Sequence, residues 1–271
     1  MSICVIPDCP LQIMAGCLKP KPDDPMKKTR FFQAKRFTLF LLVSCLFSAC
    51  AAQSPALYHA DLQKAYHNAV VDAQIADPTE ISHNLVAIVP SNEKLIWKNR
   101  SDAQNAMLLV VTWTDYNGYD DKIGQSVQIS REVWVTTAPE IKDFCKKLTG
   151  NRSLRLEQLL GLPPKAGKTK FVEMWVKPGN LFRPSADPEI SDREAETEFR
   201  RPNKFVTVSD EYIKWYNDLK TQSYGANGYP WTRLGYTYDW GDSHRHIGLS
   251  EFVIMPGAAV EINSIFSTMD Y

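Results

Sequence analysis

The feature that most constrains this chain is an apolar run over residues 37–47, which follows a stretch rich in Lys and Arg. A basic segment followed by about eleven apolar residues is typical of a secretory signal, and it is too short for the roughly 20 residues that a membrane-spanning helix needs. Small residues at 48–52 then supply a cleavage region. We therefore expect residues 26–50 to be a signal peptide and the folded part of the protein to lie downstream.

The signal divides the chain into four parts. Residues 1–25 resemble no part of an export signal, which indicates that they are an upstream extension and that Met26 is the true start. Residues 51–83 are expected to form an N-terminal helix and linker, and residues 84–271 a single domain. The alternative, a buried N-terminal helix of a cytosolic protein, is disfavoured because the apolar run has no polar face.

The end of the signal, Leu46-Phe47-Ser48-Ala49-Cys50, resembles the lipobox of bacterial lipoproteins, although Phe47 departs from the usual aliphatic residue. The resemblance implies that Cys50 becomes the first residue and carries a diacylglyceryl group and an N-acyl chain. Several acyl chains together anchor a protein stably to a lipid membrane. The chain would then be an outer-membrane lipoprotein that faces the periplasm or the cell surface, since no Asp follows Cys50. Ordinary cleavage after Ala51 or Ala52 stays open and would give a soluble periplasmic or secreted protein.

Cysteine usage agrees with an exported domain that is held together by its core. Of six Cys, only Cys145 lies downstream of the predicted signal, so the processed chain has no internal disulfide. Cys145 has helical spacing with Ile141, Phe144 and Leu148, which predicts a buried small apolar residue rather than a nucleophile.

The charge balance excludes one class of partner. The chain carries 31 Lys and Arg against 31 Asp and Glu, a formal net charge of zero, and no long basic run follows the signal. Neutralising a phosphate backbone requires a basic surface, so nucleic acid is not an expected partner.

The pattern of apolar residues predicts an α+β domain. It has a mixed central sheet, two or three packed helices and a C-terminal antiparallel meander. Runs of β-branched and aromatic residues predict strands at 85–89, 107–113, 131–136, 171–176, 232–238, 249–255 and 259–265. Helix signals are found after Ser54-Pro55, at Pro139, at Ser153 as a cap, and at Ser209-Asp210-Glu211. A polar, irregular stretch over 178–202 is expected to be a long loop.

The densest chemistry lies between residues 229 and 246. Strand periodicity places Tyr236, Tyr238 and Trp240 on one face and Arg233 and Asp239 on the other. A row of exposed rings there would stack on a sugar or another flat ligand, and a buried row would be core. We therefore select as ligand-binding candidates Trp231, Arg233, Tyr236, Tyr238, Asp239 and Trp240.

A possible metal site lies close by. His244 and His246 alternate along an extended segment near Asp242, Asp239 and Glu251, and two His with a carboxylate suffice for a divalent metal such as zinc. A turn between strands also carries such residues for solvation alone. No HExxH, GxSxG, SxxK or paired-Cys motif supports a particular enzyme.

The sequence favours a lipid-anchored envelope protein with a non-catalytic domain that needs no cofactor. Its partners would be the membrane, through Cys50, and a small molecule, a glycan or an envelope protein. Two alternatives stay open, a metal-assisted hydrolase that uses His244 and His246, and a structural assembly factor of the envelope. Solvated loop charges are the expected role of Arg183, Asp187 and Glu189.

Overall fold

The computed structural model describes residues 55–199 and 208–271, with residues 55–57 described by their backbone alone. The predicted signal peptide and Cys50 lie outside the described residues. Within these two ranges no helix is long and apolar enough to cross a membrane.

Four α-helices lie in the described ranges. They are α1 (Pro55–Asp72), α2 (Ala138–Cys145), α3 (Arg152–Leu159) and α4 (Asp210–Ser223). The predicted cap of α4 is confirmed, since the Ser209 hydroxyl accepts a hydrogen bond from the Tyr212 backbone N–H at 3.2 Å. The cap of α3 is Asn151, not Ser153, because the Asn151 side chain accepts from the Leu154 N–H at 3.1 Å. Asn is as good an N-cap as Ser, and the cap lies two residues earlier than predicted.

In the part of the chain that the structure describes, ten strands form one eight-stranded sheet and a separate pair. The strands are β1 (Trp97–Lys98), β2 (Met107–Thr114), β3 (Ser126–Gln128), β4 (Val133–Thr137), β5 (Lys170–Val176), β6 (Leu181–Phe182), β7 (Tyr236–Tyr238), β8 (Ile247–Ser250), β9 (Phe252–Ile254) and β10 (Ala259–Ser267). The large sheet has the order β3-β10-β5-β2-β4-β9-β6, with β1 beside β2, and β7 pairs with β8. The pairings between these strands are antiparallel.

The central strands β2 and β5 bury both faces, as their continuous apolar runs predict. Leu108 and Val110 face one layer of the core, while Leu109 and Val111 face the other. On the first side, Val110 lies opposite Met174 of β5, within a cluster that continues into β10 and β9. On the second side, α2 and α3 cover the sheet. The sheet therefore separates two apolar layers.

The α+β class is confirmed, and so is the run of short strands at the C-terminus. Only β7 and β8 of this run pair with each other. Strand β9 joins β4 and β6, and β10 lies between β3 and β5. Non-local pairing of this kind is not encoded in any local sequence pattern.

The strand predicted over residues 85–89 is wrong. The segment is extended and partly buried, but its hydrogen bonds join the irregular loop instead of a sheet. The Leu85 N–H donates to the Arg193 carbonyl at 2.9 Å, and the Ile88 N–H donates to the Ile190 carbonyl at 2.7 Å. The prediction for Cys145 is confirmed, because only 1% of this residue, the last of α2, is exposed and it belongs to the core layer between the helices and the sheet.

Candidate ligand-binding cavity

A cavity of about 550 Å³ lies where five parts of the chain meet. These parts are the end of β2, strand β4, the turn after α3, the C-terminal half of α4 with the segment that follows it, and β7. Its volume is within the range of about 300–1,000 Å³ that is usual for small-molecule sites. Aromatic side chains line much of it, namely Trp113, Trp134, Trp231, Tyr236 and Tyr238, with Tyr116, Tyr119 and Tyr229 also contributing.

The local structure of each element turns these rings inward. Trp113 belongs to the face of β2 that α2 and α3 cover. Trp134 of β4 and Trp231 after α4 meet edge to face, with ring centroids 6.3 Å apart at 89°. The turn after α3 comes close because Gly161 has a φ of +63°, and a Cβ there would lie 3.4 Å from Pro230. The wall is therefore built from contacts between distant parts of the sequence.

Four of the lining rings donate hydrogen bonds, through an indole N–H or a hydroxyl group, to residues that do not line the cavity. The Trp113 indole N–H donates to Thr268 Oγ1 at 2.8 Å, and the Trp231 N–H donates to the Pro184 carbonyl at 3.1 Å. Tyr236 donates its hydroxyl to the Glu80 carbonyl at 3.0 Å and Tyr238 donates to Asp72 at 2.7 Å. These four rings therefore have only their carbon surface left to offer to a ligand.

One acid interrupts this apolar wall. Glu251 lies between β8 and β9, fixed by a hydrogen bond of 3.0 Å from its backbone N–H to the Gly235 carbonyl. Its side chain lines the cavity, and the Oε2 atom is buried without a hydrogen-bond partner. Removal from water raises the pKa of Glu251 to about 8. The carboxyl group is therefore mostly protonated at neutral pH and carries no charge.

A second buried acid close by shows the contrast. Glu140 of α2 accepts hydrogen bonds from the Ser250 backbone N–H at 3.3 Å and from the Thr136 hydroxyl at 3.2 Å. Burial raises the pKa of Glu140, and these donors oppose the rise. Glu140 thus has partners that Glu251 lacks, and it does not line the cavity.

Charged residues mark the rim of the cavity. Arg131 and Glu132 are exposed there, and Lys168 pairs with Asp115 at 2.6 Å. The Arg131 guanidinium lies 5.6 Å from the centroid of the Tyr116 ring. A cation therefore already packs on an aromatic ring at the entrance.

Of the six ligand-binding candidates, three line the cavity and three do not. Trp231, Tyr236 and Tyr238 line the cavity, but they are buried, so the solvent-exposed row of rings does not form. Trp240 is also buried, packing edge to face on Tyr66 of α1 with centroids 5.9 Å apart. Strand β7 is covered on both sides, so of the two alternatives for these rings the buried one is observed.

The two charged candidates have structural partners. Arg233 donates to the Gln74 carbonyl at 2.8 Å and to the Ala73 carbonyl at 3.3 Å, at the end of α1. Asp239 receives two parallel hydrogen bonds from Arg155 of α3, at 2.8 and 2.5 Å. Such fork-to-fork pairs are strong and directional, so Arg155 and Asp239 tie α3 to the β7–β8 hairpin.

The predicted metal ligands do not converge. Asp242 accepts from the backbone N–H groups of His244 and Arg245 at 2.9 and 3.1 Å, as in an Asx turn. His246 instead stacks on Tyr238, with ring centroids 4.7 Å apart. In the described ranges, His244, His246 and Asp242 do not form a set of ligand atoms within 4.8 Å of one another.

Three acidic residues of the long loop do come together. One carboxylate oxygen each from Asp187, Glu189 and Asp192 lies within 4.8 Å of the other two. The buried Arg183 donates to Asp192 at 2.9 Å and balances part of its charge. Arg183 and Asp187 were predicted to be solvated loop charges, and for Arg183 this is wrong, because its side chain is fully buried.

Sequence reasoning did not single out the residue that most distinguishes the cavity. Glu251 entered only as a possible metal ligand beside His244 and His246. The signal that marks it is a lone acid in the stretch Leu249–Met255, whose other residues are apolar except for Ser250. Trp113 and Trp134 were predicted as strand residues, and nothing local places them beside Trp231.

Comparison with known proteins adds no assignment. No protein-family model matches the chain, and neither the curated proteins nor the solved structures give a significant match. Function is therefore argued from the cavity itself.

Proposed function

We propose that this chain is an exported, lipid-anchored envelope protein whose domain binds a small organic ligand inside the aromatic cavity. The observation that carries the binding proposal is the unpartnered Glu251 carboxyl in a cavity of about 550 Å³ that aromatic rings surround. A large apolar pocket with one polar group of perturbed pKa is the usual form of a small-molecule site.

Binding accounts for this site better than catalysis. A raised pKa suits a general acid, but acid–base chemistry also needs a second group at the reacting atoms. Among the lining residues the other carboxylate is Glu132, which is exposed at the rim. The hydrolase alternative relies on His244 and His246, which the fold does not bring together with Asp242.

Ligand binding is tested with N-phenyl-1-naphthylamine, a neutral aromatic probe that becomes fluorescent in apolar sites. We expect saturable binding with one probe per protein. Trp134→Ala removes a cavity wall and should weaken binding at least fivefold. Trp175→Ala is the matched control, because Trp175 is also partly buried in the sheet but does not line the cavity. Binding that is not saturable, or equal losses in both variants, would contradict the proposal.

The anchor is supported by the lipobox-like sequence that ends at Cys50. Only residues 51–54 separate Cys50 from α1, so an acylated Cys50 would hold the domain within about 15 Å of the lipid surface. Detergent phase partitioning of the protein expressed from Met26 tests this. The unaltered protein should enter the detergent phase and Cys50→Ser should not, while Cys45→Ser behaves as the unaltered protein. Partitioning of Cys50→Ser into detergent would reject the anchor.

A further inference from the structure

The cavity places an acid without a partner among aromatic rings, and this combination selects one ligand chemistry. We propose that the ligand is an organic ammonium ion, whose positive group lies against the rings and pairs with Glu251. This inference rests on the proposed binding function and specifies its ligand class.

The Glu251 carboxyl lacks a partner of opposite charge among the described residues. The side chain of Glu251, a half-buried residue that lines the cavity, accepts no hydrogen bond within the described ranges, and its Oε2 atom is shielded from water. A buried polar group without a partner is costly, and a ligand that supplies a donor or a positive charge removes that cost. Arg131 and Lys168, the cationic side chains among the lining residues, are otherwise engaged, with Tyr116 and Asp115 respectively. The missing partner of Glu251 is therefore expected from the ligand.

The aromatic rings that line the cavity favour a positively charged ligand. The faces of Trp and Tyr rings attract cations, and quaternary ammonium ions are commonly bound in cages of such rings. Three tryptophans, Trp113, Trp134 and Trp231, line the cavity together with several tyrosines. Arg131 over Tyr116 is an instance of the same attraction at the rim.

The cavity is less suited to a sugar than to an ammonium ion. A sugar requires many hydrogen-bonding groups around its ring. Here the indole and hydroxyl groups of four lining rings are occupied elsewhere, and the Thr237 hydroxyl donates to the Leu159 carbonyl at 2.6 Å. A cation with apolar substituents needs only the ring faces and one carboxylate.

Protonation makes the proposal testable. Glu251 must lose its proton to pair with a cation, so ammonium binding should strengthen as pH rises from 6.0 to 8.5. The titratable and charged groups that face the cavity from the other elements are Arg131, Glu132, Lys168, Tyr116, Tyr119, Tyr229, Tyr236 and Tyr238. Burial raises the pKa of Tyr119, Tyr236 and Tyr238, which keeps them neutral in this range. Glu140 and His246 lie behind the wall, against Ser250 and Tyr238.

The experiment compares choline with 3,3-dimethylbutan-1-ol, its neutral analogue of the same shape, by displacement of N-phenyl-1-naphthylamine at pH 6.0 and 8.5. Choline should bind at least tenfold more tightly at pH 8.5 than at pH 6.0, and the alcohol should bind equally at both. Glu251→Gln should weaken choline binding at least tenfold at pH 8.5 and remove its pH dependence. Glu132→Gln, at the rim of the cavity, should weaken choline binding less than Glu251→Gln does and should leave its pH dependence in place.

The outcomes separate this inference from the proposed function. If the fluorescent probe binds in a Trp134-dependent way but choline has no advantage over the alcohol, the ammonium assignment is wrong and small-molecule binding stands. An effect of Glu132→Gln as large as that of Glu251→Gln also overturns the assignment. If the probe itself does not bind, the proposed function fails and the ammonium assignment fails with it.

Discussion

Replacing Glu251 by Gln should change how the stability of the protein depends on pH. The Glu251 carboxyl has a pKa of about 8 in the folded protein, against 4.5 for an ordinary Glu. Between these values the folded chain keeps a proton that the unfolded chain releases. Stability therefore falls as pH rises through this window, and it is lowest above pH 8, where the folded protein carries a buried charge.

The magnitude follows from the difference of about 3.5 pH units between the two pKa values. One unit corresponds to about 1.4 kcal/mol, so the whole difference is worth about 5 kcal/mol, and the roughly 2.5 units above pH 5.5 account for about 3.5 kcal/mol of it. Because the side chain lines a cavity that water can enter, hydration recovers part of this free energy. We expect a net loss of about 2 to 3 kcal/mol between pH 5.5 and pH 8.5. Gln cannot ionise, so Glu251→Gln should lack this loss.

Urea unfolding at four pH values between 5.5 and 8.5 provides the assay. The difference in free energy of unfolding between Glu251→Gln and the unaltered protein should grow in favour of the variant as pH rises. Glu140, whose pKa is also raised, is present in both proteins and cancels from the difference. Glu132→Gln is the control, and its stability should follow that of the unaltered protein. Parallel curves for Glu251→Gln and the unaltered protein would refute the claim that a buried, unpartnered acid lines the cavity.

Two further substitutions test the contacts that hold the cavity elements. Arg155→Ala leaves the buried Asp239 without its partner and should destabilise the protein by about 3 kcal/mol in urea unfolding. Lys214→Ala, which removes an exposed pair, should cost less than about 0.5 kcal/mol, and equal effects would contradict the distinction. Asn151→Ala removes the cap of α3 and should cost about 1 kcal/mol, whereas a neutral result would place the start of α3 elsewhere.

Elements with strong local signals were predicted well. The apolar run of β2 and the Ser209 cap of α4 appear where the sequence places them. The segment 85–89 was mistaken for a strand because it is a run of apolar and β-branched residues, yet its backbone partners lie in the loop around Ile190 and Arg193. Burial and extension are local properties, but strand pairing requires a neighbour that the segment itself does not specify.

The candidate site was only partly predictable. Trp231, Tyr236 and Tyr238 were selected because residues 229–246 are rich in aromatic and charged side chains, and they do line the cavity. The same argument selected Arg233 and Asp239, whose charges instead hold α1 and α3 in place. Residue type indicates what a side chain can do, whereas its partner decides what it does.

By itself the sequence determined the α+β class, the start of α4 at its Ser209 cap, and the burial of the central strands and Cys145. These properties follow from periodicity, capping and hydrophobicity, which act over a few neighbouring residues. Only the tertiary structure decided that Glu251 has no hydrogen-bond partner and that it lines one cavity together with Trp113, Trp134 and Trp231, because these residues are far apart in the chain. A cavity is the space that packing leaves unfilled, so it depends on the arrangement of all its walls together.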